Sequence, residues 1–388
     1  MPTNLGLWLP GRLRLQKVHH DQDAGTEEMA MLELPLRTDY EGLLRNLRRE
    51  GTPSRVHFME LFWDGEIERA IWERFDLERD LRRDDPDYWG WRSIRIHRFL
   101  GYDYVVANLG NTGGPREKFL MGGDTAQLPK SAGRSWADYH AGPIRSKDDV
   151  ERYPWPDPAA ADTSQIEWLT QHLPDDMCLV VPVFGPFEWV FGLMGYENLC
   201  YALHDDPELV DMLFARAGAM CTGWCELLMQ FERVAIVFSM DDMGYRTGPL
   251  ISSRILREKS LVWHQRSAEI AHRHKKLYLL HACGNLEALM PSFIEEVELD
   301  GKHSFEDAIE PVTQAKLRWG DRLSLIGGID VDFLCRADEE AVRRRVRETL
   351  DVCLSGGGYC LGTGNSVANY IPLQNYLAML DEGRRYAS

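Results

Sequence analysis

From residue 178 onward the sequence alternates short, almost wholly apolar runs with longer amphipathic stretches, and few architectures tolerate that rhythm. The apolar runs are Cys178–Gly185, Val234–Met240, Leu277–Cys283, Leu323–Ile329 and Gly358–Leu361, with a shorter, more polar one at Lys302–Phe305. Helical patterns fill the gaps at Pro207–Phe231, Ser253–Lys275, Leu286–Glu295 and Glu339–Leu354. A strand that is apolar on both faces must be covered on both, which is the situation of parallel strands connected by helices. Val56–Trp63 and Tyr104–Leu109 supply two earlier strands. Together these runs supply the eight strands that close a (β/α)8 TIM barrel.

A chain of 388 residues suffices for one such barrel with insertions. The sequence reads as a single domain over 1–388, with 1–50 as an N-terminal extension. The stretch 84–158 breaks the rhythm and is rich in Trp, Tyr, Gly, Pro and Asp. It reads as insertions that form an aromatic-rich cap over one mouth, its tryptophans (Trp89, Trp91, Trp136 and Trp155) mainly packing. The formal charge of −17 opposes binding to phosphate backbones or anionic membrane surfaces, so neither nucleic acid nor a membrane is expected as a partner. The opening MPTNLGLWLPGRLRLQ has only a short apolar patch broken by Pro10 and Gly11, unlike the core of a signal peptide. The eight cysteines show no disulfide-framework spacing, and the expected location is a reducing cytoplasm.

Functional side chains of a TIM barrel sit at the C-terminal ends of its strands. Here the runs end in VAIVFSMDD, LYLLHACGN, GKHSFED, LSLIGGID and GGGYC. His281 and Cys283 carry the sharpest signal, because residues i and i+2 of a strand project to the same side. An imidazole and a thiolate placed so can ligate zinc, and Cys360, past two intervening strands, completes a His-Cys-Cys set that leaves one position open. Glu306, at the end of the intervening strand, is the expected fourth ligand of the resting site, with a helix-start acid or a partner of His281 as the alternative. Asp241 and Asp242 are adjacent at a strand end and would face opposite ways, one orienting substrate or taking a proton and the other bracing the barrel. Trp63 and Phe187, with Asn285 after the His-Ala-Cys run, are the expected substrate contacts. Cys221 and Cys225, four apart on an apolar helix, read as a packing face. No P-loop or G-x-G-x-x-G fingerprint is present.

The runs DDMGYRTGPLIS, LLHACGNLEALMPSFIEE, LSLIGGID and GGGYCLGTGN resemble the uroporphyrinogen decarboxylase superfamily. The H-x-C followed by a distant Cys is similar to its zinc-dependent, corrinoid-linked methyltransferase branch. That resemblance implies a (β/α)8 barrel with zinc on His281, Cys283 and Cys360, and methyl transfer to or from a methylated ether, amine or thiol. No D-x-H-x-x-G cobalamin signature occurs in the chain, so the corrinoid (cobalamin) is expected on a separate protein. The arginine-rich M-R-Q-A-G-R segment of the true decarboxylases is absent too; Phe58-Met59-Glu60-Leu61-Phe62-Trp63 stands there, and Glu60 would repel a carboxylate-rich substrate. A decarboxylase and a zinc-containing protein that only binds are the alternative readings. A homodimer is compatible with all of them.

Overall fold

The computed structural model describes residues 32, 34–114, 119–130, 133–137 and 142–386, all within one compact unit, Leu32–Ser388. In chain order its strands are β1 (Tyr104–Val106), β2 (Phe119–Gly122), β3 (Arg134–Ala137), β4 (Cys178–Phe184), β5 (Val234–Met240), β6 (Gly244–Tyr245), β7 (Gly248–Pro249), β8 (Leu277–His281), β9 (Gly301–His303), β10 (Ser324–Ile326) and β11 (Tyr359–Cys360). Seven of them form one parallel sheet in the order β1-β4-β5-β8-β9-β10-β11. Every residue of β8 is buried, as a strand covered on both faces requires.

The eighth stave is the segment 56–63. Phe58 bridges Leu361 and Trp63 bridges Val367, both in parallel, and Met59 N donates to Leu361 O at 3.0 Å. The other flank of this stave is held to β1 largely by side chains. Tyr104 Oη accepts from Glu60 N and donates to Glu60 O, at 3.0 and 3.2 Å. Asp103, fully buried, pairs with Arg55 and with His57 Nδ1. The sheet thus curls into a TIM-barrel-like (β/α)8 fold, with one seam fastened by buried polar groups. The expected strand over 56–63 is reduced to two isolated bridges because its partner on one side is side chain rather than backbone.

Helices fill the crossovers. Pro207–Leu228 begins with proline at its first position and Asp206 accepting from Leu209 N, and buries Leu213, Ala217, Cys221 and Cys225 on one face. The thiols of Cys221 and Cys225 donate to Phe184 O and Ser267 O, which confirms a packing face. The helical run from Ser253 to Arg273 contains a π-turn over Arg257–Leu261.

Two expectations about organisation change. Within 84–158, β1 is the barrel strand expected at Tyr104–Leu109, and the helix Tyr88–Leu100 is part of the barrel wall rather than of a cap; the antiparallel β2–β3 hairpin and the helix Lys147–Arg152 are the inserted parts. Trp89 and Trp91 pack on Trp168. Most of the expected extension, 1–31, lies outside the described residues. The helix Tyr40–Leu47 belongs to the barrel floor, where Asn46 Nδ2 donates to Tyr359 O at 2.8 Å. Among the described residues no helix is long and apolar enough to cross a membrane.

Candidate metal centre

Three donors converge just past the C-terminal ends of β5 and β8. One ligand atom each from Asp242, His281 and Cys283 lie within 4.8 Å of one another. His281 Nε2 is 3.4 Å from Cys283 Sγ and 3.4 Å from Asp242 Oδ1. Ligands on a tetrahedral zinc, with bonds of about 2.0–2.3 Å, stand about 3.4–3.6 Å apart. The two separations from His281 match such an ion, and the third pair, Asp242 and Cys283, lies within 4.8 Å. Asp242 is set by its bond from Cys283 N at 2.9 Å. The turn after Cys283 is set by Gly284 at φ 85°, where a Cβ would lie 2.3 Å from the Gly244 carbonyl carbon, and by Asn285 N donating to Tyr245 O.

The protonation of the donors follows from their surroundings. Burial, then the charge of Asp242, push the Cys283 thiol up. Burial works the same way on Asp242, but the hydrogen bond and charge of His281 and the Cys283 amide outweigh it and hold the carboxyl below the usual range. Metal-free, the pair is thus a thiol beside a carboxylate, and a divalent cation would displace the thiol proton. Behind the donors His281 Nδ1 meets His303 Nδ1 at 2.8 Å, and His303 Nε2 meets Thr363 O at 3.1 Å. Lys302, buried on β9, donates to Ala282 O and Ser304 O and fastens the ends of β8 and β9; burial lowers its pKa to about 8.

Several expected site residues stand elsewhere. Cys360 does not join the donors: its Sγ lies 3.5 Å from Asn46 Nδ2 in the barrel floor, and burial, then Asp103, push its thiol up. The reason is strand tilt. Residue pairing runs level from His281 to His303, and from Lys302 to Leu325 and Ile326 to Cys360. Three strand steps at the tilt of a TIM barrel lower the paired residue by about three positions. Asn365 is therefore the residue that reaches Cys283, with Nδ2 3.2 Å from Sγ, and Thr363 O meets His303 two strands away. Asn365 escaped sequence reasoning although it lies five positions past Cys360, in the same GGGYCLGTGN run.

Glu306 is not among the converging donors. It lines two cavities at the mouth instead, and burial, then the charge of Asp330, raise its pKa. Asp241 is a brace rather than a catalytic group: it is wholly buried and accepts from Phe187 N, Glu188 N and Ser260 Oγ, with His264 Nε2 at 2.7 Å. Asp242, the other of the adjacent pair, stands in the converging cluster. Trp63 stacks on Tyr102 and lies tilted against His97, and Phe187 is fully buried against Phe191, so both are packing groups. Asn285 does line a cavity, one of about 110 Å³ shared with Lys302, Ser304 and Glu306. A second cavity of about 1110 Å³ is lined by Glu306, Asp330, Phe333, Asn365 and Tyr370.

The uroporphyrinogen decarboxylase (URO-D) family model matches residues 138–386, well over half of the chain. The chain belongs to the uroporphyrinogen decarboxylase family. A uroporphyrinogen decarboxylase from Alkalilimnicola ehrlichii is 24% identical over 255 residues, which are 62% of this chain and 66% of that protein. Among solved structures, a methyltransferase from Methanosarcina mazei superposes with a TM-score of 0.64 at 16% identity, over 90% of this chain and 99% of its own. That likeness establishes the barrel fold. The URO-D match includes both strand ends that carry the donors and the loop that carries Asn365.

Proposed function

We propose that this chain is a zinc-dependent methyltransferase that moves a methyl group between a small methylated substrate and a corrinoid carried by a separate protein. The convergence of Asp242, His281 and Cys283 at the open end of the barrel carries the reading. Zinc held there would supply Lewis acidity toward the oxygen, nitrogen or sulfur of a substrate and keep a bound thiol deprotonated. Asp242 and Cys283 bring two negative charges once the thiol has ionised, which balance a divalent ion. Asn365 places a neutral amide against the thiolate and walls the larger cavity, where substrate would lie. Glu306 holds a proton to higher pH than an ordinary glutamate, at the point where the two cavities meet, and can pass it to a departing heteroatom.

The same cavity argues against a polycarboxylate substrate. Glu306, Asp307, Asp330 and Asp332 line it, and Glu60 is withdrawn into a bond with Thr363. The resemblance to corrinoid-linked methyltransferases and the fold shared with the Methanosarcina mazei methyltransferase support the transfer reading. The test is spectroscopic: zinc-loaded protein is mixed with cob(I)alamin and a panel of methyl ethers, methylamines and methyl thioethers, then with methylcobalamin and thiols. Gain or loss of the methylcobalamin band, abolished by Cys283→Ser, is the expected result. A folded, zinc-loaded protein inert in both directions would refute methyl transfer.

A further inference from the structure

His303 is buried, sits beside a proposed metal ligand, and has no part in the chemistry above. We propose that it is a positioning residue: through a buried chain anchored on Thr363 and Glu60, His303 fixes His281 in the tautomer that a metal ion requires. The inference rests on the reading of Asp242, His281 and Cys283 as ligands.

The direction of the chain follows from one group that can only accept. Thr363 O is a backbone carbonyl, so the His303 Nε2 that lies 3.1 Å from it must carry a proton. In the neutral ring Nδ1 is then a lone pair, and it faces His281 Nδ1 at 2.8 Å. That nitrogen must in turn be protonated, so Nε2 is the nitrogen left for a metal ion, on the side where Asp242 Oδ1 and Cys283 Sγ stand at 3.4 Å; a proton held there by the Asp242 carboxylate in the metal-free protein is one the ion displaces. The opposite arrangement would set a ring lone pair against a carbonyl oxygen. His303 is fully buried and His281 4% exposed, so the mismatch could not be relieved by bulk water.

The acceptor is itself held in place. Thr363 donates from its N and Oγ1 to Glu60, at 2.8 and 2.6 Å, and Gly328 N gives Thr363 O a second hydrogen bond at 3.1 Å. Space around the carbonyl is tight: a Cβ on Gly327 would fall 2.1 Å from Thr363 O and 2.9 Å from the His303 ring. The chain therefore joins β8, β9, the turn after β11 and the 56–63 stave. It couples the ligand to four parts of the wall rather than to its own strand alone. Partners of this kind, removed from a metal-ligating histidine, cost about 10–100-fold in metal affinity.

The experiment compares wild-type, His303→Leu and His303→Asn as metal-free proteins titrated with zinc against a chromogenic chelator, with cobalt(II) spectra as a second readout. His303→Leu should bind about 10–100-fold more weakly and shift the cobalt bands. His303→Asn, whose side-chain carbonyl can take the His281 proton, should recover most of the affinity. Should His303→Leu fail to fold, nitrogen-15 spectra of the metal-free wild-type decide without it: His281 protonated on Nδ1 and His303 on Nε2 is the expected pattern. Unchanged affinity and cobalt bands in folded His303→Leu, or His281 unprotonated on Nδ1, would overturn the proposal. Wild-type protein that takes up no zinc would overturn it together with the metal reading, and is told apart because no substitution is involved.

Discussion

Asp241 and Asp242 show how much one position along the chain decides. The two carboxylates are consecutive, so the alternation of an extended backbone sends one inward to helix amides and His264, and the other to the donor cluster. Asp241→Asn should therefore cost about 3 kcal/mol of folding stability, as removal of one member of a buried charged network does, while Asp242→Asn should fold normally and lose zinc. Denaturant melts paired with metal analysis separate the two effects. Glu306→Gln should retain full zinc, because Glu306 is not among the donors, and should turn over more slowly. Its raised pKa means that the useful proton is lost as pH rises, so the high-pH decline in wild-type turnover should be absent from the variant. Glu60 makes a stability prediction of the same sign. Burial raises its pKa from 4.5 to about 8, only partly offset by Thr363, so the folded state binds the extra proton between those values. Stability from this group is full below pH 4.5 and lost as pH climbs through 8; melting temperatures of Glu60→Gln across that window should decline less steeply than those of the wild type.

The elements carry the donors into register, and the turn after β8 is the most exacting of them. Gly284→Ala would force a Cβ into the β6 backbone at positive φ, so it should displace Cys283 and lower zinc affinity at least tenfold, as read by chelator competition. The i, i+2 relation of His281 and Cys283 was legible from sequence because both lie on, or directly after, a single extended run. The choice of Cys360 was not sound, because it needed the relative height of strands three steps apart. That height depends on barrel tilt, a property of the closed sheet that no local pattern records. Asn365 was hidden for the same reason, and because an amide in a glycine-rich turn gives no signal of its own. Residue type alone points Trp63 and Phe187 toward substrate, but Trp63 is taken up by Tyr102 and by His97 of the helix Tyr88–Leu100, and Phe187 packs on Phe191 one turn along its own helix. The reading of 84–158 as cap went astray where aromatic composition masked a wall helix that buries Ile94, Ile96 and Leu100.

At the scale of the whole molecule, the fold was readable because covered parallel strands have few alternative arrangements, and the run at 56–63 was legible as a strand although the side chains that fasten its seam were not. Metal binding should stabilise the barrel as a unit, since the donors tie β5 to β8. Free zinc a thousandfold above Kd should add about 4 kcal/mol to unfolding, visible as a higher Tm that a chelator reverses. With a net charge of −17, docking of a separate corrinoid protein should weaken as salt rises, if that partner presents a basic patch. The most direct test of the central claim is the zinc content of purified Cys283→Ser and Cys360→Ser by elemental analysis. The geometry predicts that Cys283→Ser loses most of its metal while Cys360→Ser keeps one equivalent per chain. Loss of zinc from Cys360→Ser, with full occupancy in Cys283→Ser, would contradict the donor set of Asp242, His281 and Cys283.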